Sequence, residues 1–173
     1  MSIYKEEDLT NAIIDFHGEN LFLSNFYDIQ VEYEDFKYKN TEAAYQAAKY
    51  PHRTHKSGFT GLHAGAAKKL DRAFRKEGIE IVKYWDTYRL KVMLDLLLQK
   101  FNPNGTRAQV ACWQLLDATG DKLLVEGNHW GDRYWGMTVN TDGFLEGENR
   151  LGKLLMTIRH FYRLKEEKEK IGS

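Results

Sequence analysis

The hydrophobic pattern of the chain changes its period at Asn40, and this change limits the folds that the chain can adopt. Before Asn40, short β-branched and aromatic segments lie between turn signals, which predicts strands near 13–16, 21–23, 29–33 and 36–38. After Asn40, apolar residues recur at helical spacing. We therefore predict a mainly α, α+β fold, a multihelical single domain with a small antiparallel β element near its N-terminus.

Five helices are expected in the rest of the chain. The first can be capped by Asn40 or Thr41. Asp86 is the expected cap of the third, and Thr106 and Gln109 have the spacing of a capping box for the fourth. The five helices are predicted over 41–50, 62–78, 86–101, 106–120 and from 149 onward. Between the last two, residues 122–148 are predicted to form a long loop, which is unusual for a simple connection.

Length and composition indicate one domain. With 173 residues the chain can bury a core without disulfides, and we expect that core to span about 12–165, ahead of a charged helical tail. Lys plus Arg and Asp plus Glu both total 25, so no basic excess points to constitutive binding of duplex DNA or anionic membranes. The single cysteine, Cys112, excludes an intramolecular disulfide and a multi-cysteine zinc site.

Membrane and metal-binding classes are not expected either. No apolar run approaches about 18 residues and the polar start of the chain is unlike a signal peptide, so we expect a soluble, cytoplasmic protein without membrane contact. His52, His55 and His63 lie near one another in sequence, but no His-Glu-x-x-His motif or cysteine pair accompanies them. Surface histidines are the simpler explanation, and no metal site is predicted.

Three polar residues of the first helix lie on one face. Glu42, Gln46 and Lys49 stand at i, i+4 and i+7. Spacing alone favours an exposed polar stripe on a surface helix. The alternative is a carboxylate, an amide and an amine that converge on one ligand. In that case a desolvated lysine can act as a nucleophile toward an aldehyde-like carbon, and the carboxylate can stabilise an oxocarbenium ion or orient water.

Aromatic and carboxylate groups are concentrated in the segment 128–136. Trp130, Asp132, Trp135 and Gly136 lie within it. Aromatic faces stack on nucleobases, and a carboxylate can accept hydrogen bonds from ring N–H groups. The alternative, which the residues leave open, is an aromatic cluster that covers the core beneath a loop.

The segment that opens the last helix, 147–152, combines glycines with Asn149 and Arg150. Amides at the start of a helix suit a phosphate or diphosphate. The glycine spacing matches neither a Walker nor a Rossmann motif. A tight turn with Asn149 as N-cap is the simpler explanation of these residues.

In order and spacing, these segments resemble the YbiA-like NADAR domain family. The matching stretches are 23–27, 41–50, 84–93, 100–101, 115–121, 124–126, 132–136 and 147–159. Two departures stand out. Ala43 occupies a position where the family often has histidine, and Asp71 precedes Arg72 where the family commonly has a Gly-Arg pair.

The resemblance implies an N-glycosidase that acts on ribosyl nucleotides. Its substrate would be a nucleotide-like small molecule, such as a ribosylamino-pyrimidine intermediate of riboflavin biosynthesis, or nucleic acid that carries ADP-ribosylated guanine. The bond to be hydrolysed joins (phospho)ribose or ADP-ribose to the nitrogen of a base. The resemblance implies no cofactor and no metal, and it leaves the oligomeric state open.

The resemblance also suggests residue roles, which we state as a hypothesis. Glu42 stabilises positive charge at the anomeric carbon or orients water, and Lys49 contacts the sugar or forms a transient imine with ring-opened ribose. Asp132 binds the base edge or donates a proton, which completes the predicted catalytic set. The predicted substrate-binding residues are Ser24, Asn25, Phe26, Gln46, Arg89, Trp130, Trp135, Gly136, Asn149 and Arg150.

Two further interpretations bear on function. The chain could be a non-catalytic module that binds ADP-ribose or a nucleotide, although Glu42 and Lys49 together argue against a pure reader. A basic stretch could also contact a polynucleotide, whereas the solvated face of the second helix is the simpler explanation. That stretch comprises Arg53, Lys56, Lys68, Lys69, Arg72, Arg75 and Lys76.

Overall fold

A computed structural model describes residues 2–171 of the chain. These residues form two compact units. The central unit comprises residues 25–112, and the terminal unit combines the chain up to Ser24 with the chain from Trp113 onward. The mainly α, α+β class is confirmed, while the bounds of a single domain stay a prediction. Within residues 2–171, no helix has the length and apolar character needed to cross a bilayer.

The regular elements are numbered here along the chain. The strands are β1 (Ser2–Tyr4), β2 (Ala12–Ile13), β3 (Asp28–Tyr33), β4 (Phe36–Asn40), β5 (Leu123–Leu124), β6 (Met137–Val139) and β7 (Leu145–Gly147). The helices are α1 (Thr41–Ala48), α2 (Arg53–Ser57), α3 (Ala64–Lys76), α4 (Trp85–Lys100), α5 (Arg107–Ala118) and α6 (Arg150–Ile171). Two short 3₁₀ helices cover Glu6–Leu9 and Gly18–Leu23.

The central unit is organised around α1. Strands β3 and β4 form an antiparallel hairpin. Its turn residues, Glu34 and Asp35, both have positive φ angles, of 43° and 64°, as a type I′ turn requires. α1 packs against β3, β4, α3 and α4, and all of its residues are buried. Four alanines allow this close approach from several sides.

The terminal unit contains two small sheets. β1, β7 and β6 form an antiparallel sheet in that order, and β2 pairs with β5 in parallel. α6 packs against β5. The buried face of α6 includes Leu151, Leu155 and Ile158, as its helical periodicity predicts.

Two of the predicted helix caps are confirmed. The Asn40 side chain accepts a hydrogen bond from the Ala43 amide at 2.9 Å. Thr106 and Gln109 form the reciprocal bonds of a capping box, at 3.4 and 2.8 Å. These bonds satisfy amides that the first turn of a helix leaves without a partner.

Three predicted elements are wrong. Residues 21–23 lie in a 3₁₀ helix because Phe22 and Leu23 are buried in succession, which a strand with alternating faces does not allow. α4 begins at Trp85, one residue before the predicted cap, and Asp86 instead pairs with Arg89 at 3.3 Å. The predicted loop 122–148 contains β5, β6 and β7.

Candidate active site

The polar residues of α1 are buried. Glu42, Gln46 and Lys49 are only 7%, 6% and 8% exposed. The interpretation of these residues as a solvent-exposed stripe is therefore wrong. Polar side chains at such positions must find partners because an unsatisfied buried polar group is destabilising.

Gln46 joins the carboxylate of Glu42 to the amine of Lys49. Its Nε2 donates a hydrogen bond to Oε1 of Glu42 at 2.6 Å. Its Oε1 accepts a hydrogen bond from Nζ of Lys49. The two ends of the amide thus have different partners, which fixes its orientation. A carboxyl group and an amine are held at a defined spacing on one helix.

Asp71 completes this group, although sequence reasoning did not include it among the site residues. Its Oδ1 lies 3.1 Å from Nζ of Lys49 and accepts a hydrogen bond from the Tyr50 hydroxyl at 2.8 Å. Asp71 belongs to α3, where it shares the buried face with Ala64 and Ala67. The i, i+3, i+7 spacing of these three residues was the signal in the sequence that could have identified Asp71. It places a carboxylate on a buried helix face, where the carboxylate requires a partner.

Burial changes the protonation of both ends of the group. It raises the pKa of Glu42, and the hydrogen bond from Gln46 and the charges of Lys68 and Lys49 only partly oppose this. Burial also lowers the pKa of Lys49, against the opposing effect of Asp71. Desolvation favours the neutral form of each group. The site therefore favours a carboxylic acid that can donate a proton and an amine that can act as a nucleophile.

The segment before β3 adjoins Glu42. The carbonyl oxygen of Asn25 accepts the amide of Glu42 at 3.1 Å. Asn25 Oδ1 and Thr41 Oγ1 are buried without a hydrogen-bond partner among residues 2–171. Phe26 is exposed, and Nζ of Lys68 lies 5.6 Å from the centre of its ring. These residues place polar and aromatic groups next to the Glu42 end of the site.

Two more residues that were predicted to bind substrate, Ser24 and Arg89, lie in different parts of the chain. Arg89 is on α4, where it pairs with Asp86. Ser24 belongs to the terminal unit, and its amide closes the 3₁₀ turn by donating to Leu21 O at 3.0 Å. Neither contact tests the predicted binding role of these side chains.

Asp132 organises the aromatic segment of the terminal unit. Its Oδ1 accepts the amides of Tyr134 and Trp135 at 3.1 and 2.9 Å. Its own amide donates to Oδ1 of Asn128 at 2.9 Å. Trp130 is 53% exposed. The contacts indicate that Asp132 shapes this segment, while its catalytic role stays a prediction.

Gly136 is required by a close approach of two backbone segments. A Cβ atom at this position would lie 2.2 Å from the carbonyl oxygen of Glu126. The Gly136 carbonyl also accepts the amide of Asn149 at 3.2 Å. Close packing of the backbone therefore explains why a glycine occupies this position.

Asn149 has a structural role. It is fully buried with φ of 49°, its Nδ2 donates to Leu124 O at 2.9 Å, and its Oδ1 accepts the Glu126 amide at 3.1 Å. Both ends of the side-chain amide are therefore bound to backbone. The predictions that Asn149 contacts phosphate or ribose, or caps the helix with its side chain, are not supported by this geometry.

The first amides of α6 are also occupied. The amides of Arg150 and Leu151 donate to the carbonyls of Tyr134 and Trp135, at 3.2 and 3.0 Å. These two amides are therefore not free to bind phosphate, and the tight turn agrees with the simpler explanation. The Arg150 side chain pairs with Glu148 at 2.7 Å and lies 5.7 Å from the ring centre of Tyr134.

The histidines and the basic stretch have other partners. Across residues 2–171, no group of three or more His, Cys, Asp or Glu side chains could hold a metal ion. His63 caps α3 by accepting the Ala66 amide at 3.2 Å. Lys56 is 4% exposed and pairs with Glu34, so its assignment to a solvated basic face is wrong.

Comparison with known proteins identifies the family. The sequence profile of the NADAR domain matches residues 14–163. The chain belongs to the NADAR domain family. The solution NMR structure of the E. coli protein YbiA is similar to this NADAR chain, with 26% sequence identity and a TM-score of 0.68 over 90% of this chain and 88% of that one. No curated protein sequence matches the chain.

Family membership gives the two departures from the NADAR pattern a structural context. Ala43 is fully buried in α1. Asp71, by contrast, contributes a charged group that pairs with Lys49. In this NADAR protein Asp71 is therefore part of the direct surroundings of the amine.

Proposed function

We propose that this NADAR protein is a hydrolase that cleaves the N-glycosidic bond between (phospho)ribose or ADP-ribose and a nitrogenous base. The observation that carries the proposal is the buried line formed by Glu42 and Gln46 of α1 with Lys49, the residue that caps its C-terminus. Burial shifts the pKa of Glu42 upward and that of Lys49 downward. An acid and an amine with these shifts are suited to protonate a leaving base and to attack an anomeric carbon.

The first half of the reaction forms a covalent bond to Lys49. The neutral amine attacks the anomeric carbon, and the bond from that carbon to the base nitrogen breaks. The electron pair of the broken bond stays on the nitrogen, which takes the proton of the Glu42 carboxyl group. The sugar ring then opens as the ring oxygen receives a proton from the former lysine nitrogen, which leaves a protonated imine.

Water completes the reaction. Glu42, now a carboxylate, takes a proton from the water molecule that adds to the imine carbon. Collapse of this adduct breaks the carbon–nitrogen bond and releases the sugar aldehyde and the lysine amine. The alternative is direct attack of water on the anomeric carbon, with Lys49 as an electrostatic contact.

Stacking of the base on Trp130 and Trp135 stays a prediction from the sequence. Trp130 has an exposed ring that can stack on a heterocycle, and Trp135 lies in the segment held by Asp132. The Arg150 guanidinium, which pairs with Glu148, is the predicted contact for a phosphate. Gln46 holds the catalytic pair in place.

A purely binding module is the less favoured function. Each buried ionisable group destabilises the fold unless its interactions compensate. Glu42, Lys49 and Asp71 are all buried, and Asp71 lies beside the amine of Lys49. A reader of ADP-ribose gains little from such an arrangement, whereas a catalyst needs it.

Base release tests the proposal directly. Wild-type protein is incubated with ADP-ribosylated-guanine DNA and, separately, with a ribosylamino-pyrimidine phosphate, and the products are measured by mass spectrometry. We expect wild type and the exposed-lysine control Lys91→Ala to release base from one of the two substrates, and Glu42→Gln and Lys49→Ala to release none. Full turnover by both site variants contradicts the proposal. Binding of ADP-ribose without release from either substrate supports the reader.

Borohydride separates the two mechanisms. Reduction during turnover should add the mass of the sugar to the peptide that contains Lys49, and Lys49→Ala should give no adduct. Turnover with no adduct on any lysine contradicts the imine and supports direct attack by water.

A further inference from the structure

We propose that Asp71 and Tyr50 form a positioning pair that fixes the amine of Lys49 and sets the pH range in which this amine is neutral. The inference deepens the proposed function, because it rests on Lys49 as the reacting amine. It concerns residues on α3 and immediately after α1 that the sequence did not mark as part of the site.

The geometry gives the pair two linked hydrogen-bonding contacts. Oδ1 of Asp71 lies 3.1 Å from Nζ of Lys49, and both side chains are about 10% exposed. The same oxygen accepts the Tyr50 hydroxyl at 2.8 Å, and the Asp71 carbonyl lies 3.3 Å from that hydroxyl. One carboxylate oxygen therefore serves both the amine and the phenol.

Tyr50 is held firmly enough to orient this oxygen. It is fully buried, with its ring stacked on Phe59 at 5.7 Å between ring centres. Phe74 packs edge-on against the same ring at 5.2 Å. The hydroxyl consequently cannot leave Asp71 without disturbing an aromatic cluster.

The lysine backbone is also anchored. The carbonyl of Lys49 accepts the amide of Val82 at 2.7 Å, and its amide closes the last turn of α1. With the backbone fixed, the position of Nζ depends on Gln46 and Asp71. Loss of either contact would let the amine move.

The two members of the pair act on Lys49 in opposite directions. A carboxylate beside an amine stabilises the ammonium form, so Asp71 restrains the loss of the proton that burial favours. A hydrogen bond from Tyr50 stabilises negative charge on Asp71 and draws its electron density away from the amine. Removing Asp71 should therefore lower the pH at which Lys49 titrates, and removing the Tyr50 hydroxyl should raise it.

Other titratable and charged groups lie on the elements around this pair. α1 itself contributes Glu42, which favours the ammonium form when it is ionised, and the Tyr45 ring 5.8 Å from Nζ. The buried residues of β3 and β4 carry no charge. On α3, Arg75 lowers the pKa of Lys49, and Lys68 acts on Glu42. On α2, His55 packs against the Tyr50 ring at 5.9 Å. The other buried titratable groups on elements packed against α1 are Lys56 on α2, Tyr38 on β4 and Lys100 on α4.

The test measures Lys49 without any substrate. The protein is labelled with ¹³C-lysine, the Cε signal of Lys49 is assigned by its loss in Lys49→Ala, and its titration midpoint is followed by NMR. In Asp71→Asn, which keeps an oxygen in place, we expect the proton affinity of Lys49 to fall about tenfold or more. In Tyr50→Phe we expect a smaller rise. Asp95→Asn, which alters the exposed pair with Lys91, is the control and should leave Lys49 unchanged.

Opposite shifts in the two variants support the pair, whether or not base release is detected. An unchanged midpoint in Asp71→Asn, or shifts of both variants in the same direction, overturns it. Because Tyr50→Phe removes a single oxygen, it decides the question if Asp71→Asn fails to fold. Failure of the proposed function is seen separately, as a lack of base release from both substrates by wild type.

Discussion

Nζ of Lys49 and Oδ1 of Asp71 lie 3.1 Å apart in a part of the central unit where each side chain is about 10% exposed. An ion pair at this depth has lost most of its water, so each charge depends on the other. The pair is consequently a point of vulnerability in the fold as well as the centre of the candidate site.

Removing one member of this pair should be strongly destabilising. We expect Asp71→Ala to lower the free energy of unfolding by about 3–5 kcal/mol because it leaves Lys49 buried without the carboxylate that compensates for its desolvation. The double variant Lys49→Met with Asp71→Leu should recover most of that loss. Chemical denaturation monitored by circular dichroism measures both.

The exposed pair of Lys91 and Asp95 provides the comparison. Asp95→Ala should change the free energy of unfolding by less than about 1 kcal/mol, as is usual for surface ion pairs. Equal losses for Asp71→Ala and Asp95→Ala would show that burial of the Lys49 pair contributes nothing.

The raised pKa of Glu42 should appear in the pH dependence of stability. Its folded value lies above the ordinary value of 4.5 because burial disfavours the charged form. Between these two values the native state binds more protons than the unfolded state, so the free energy of unfolding falls as pH rises through that window. We expect Glu42→Gln to flatten this fall.

Denaturation curves at closely spaced pH values above 4.5 test this expectation. Glu77→Gln removes an exposed carboxylate and is the matched control. Parallel curves for wild type and Glu42→Gln across the window would contradict a raised pKa for Glu42.

Local sequence signals predicted much of the fold. The capping residue Asn40 and the capping box of Thr106 and Gln109 specify helix starts through bonds that span three residues. The helical spacing of apolar residues also predicted the buried face of α6, and burial of Leu151 and Leu155 confirms it. Such features depend on neighbours in sequence, and a single sequence contains them.

The candidate site was only partly predictable because its partners come from distant segments. Helical spacing brought Glu42 and Lys49 to one face, but it could not show that α1 is covered on several sides. Asp71 reaches Lys49 from another helix, and Asn149 binds backbone 25 residues away at Leu124. These contacts depend on tertiary packing, which overrides the local interpretation of each residue.

Replacement of two helical glycines by alanine should change the free energy of unfolding in opposite directions. A Cβ at Gly152 would lie 2.1 Å from the Leu124 carbonyl oxygen, whereas a Cβ at Gly65 meets no atom closer than 3.7 Å. We expect Gly152→Ala to lower the free energy of unfolding by about 1–3 kcal/mol through overpacking. Gly65→Ala should raise it by about 0.5–1 kcal/mol, since alanine restricts the unfolded chain.

Thermal and chemical denaturation of the two variants provide the measurement. Each variant serves as the control for the other, because the substitution is the same and both sites lie near the start of a helix. A Gly152→Ala protein as stable as wild type would mean that α6 can move away from β5 at little cost.

The role of Asp132 can be decided with one variant that keeps the side-chain oxygen but removes the charge, and another that removes both. Asparagine keeps an oxygen that can accept the amides of Tyr134 and Trp135, whereas alanine does not. If Asp132 positions the aromatic segment, Asp132→Asn should retain base release within a few-fold of wild type. Asp132→Ala should lower the free energy of unfolding by about 1–2 kcal/mol and weaken base release as well.

A catalytic Asp132 would behave differently, since an amide cannot donate a proton as a carboxylic acid does. Base release abolished in Asp132→Asn, with stability intact, would assign Asp132 as the proton donor and leave Glu42 with charge stabilisation alone. Asp142→Asn and Asp142→Ala, at an exposed aspartate of the same unit, control for the change of charge in the terminal unit. We expect the positioning outcome because one carboxylate oxygen already accepts two backbone amides, which is the arrangement of a structural turn.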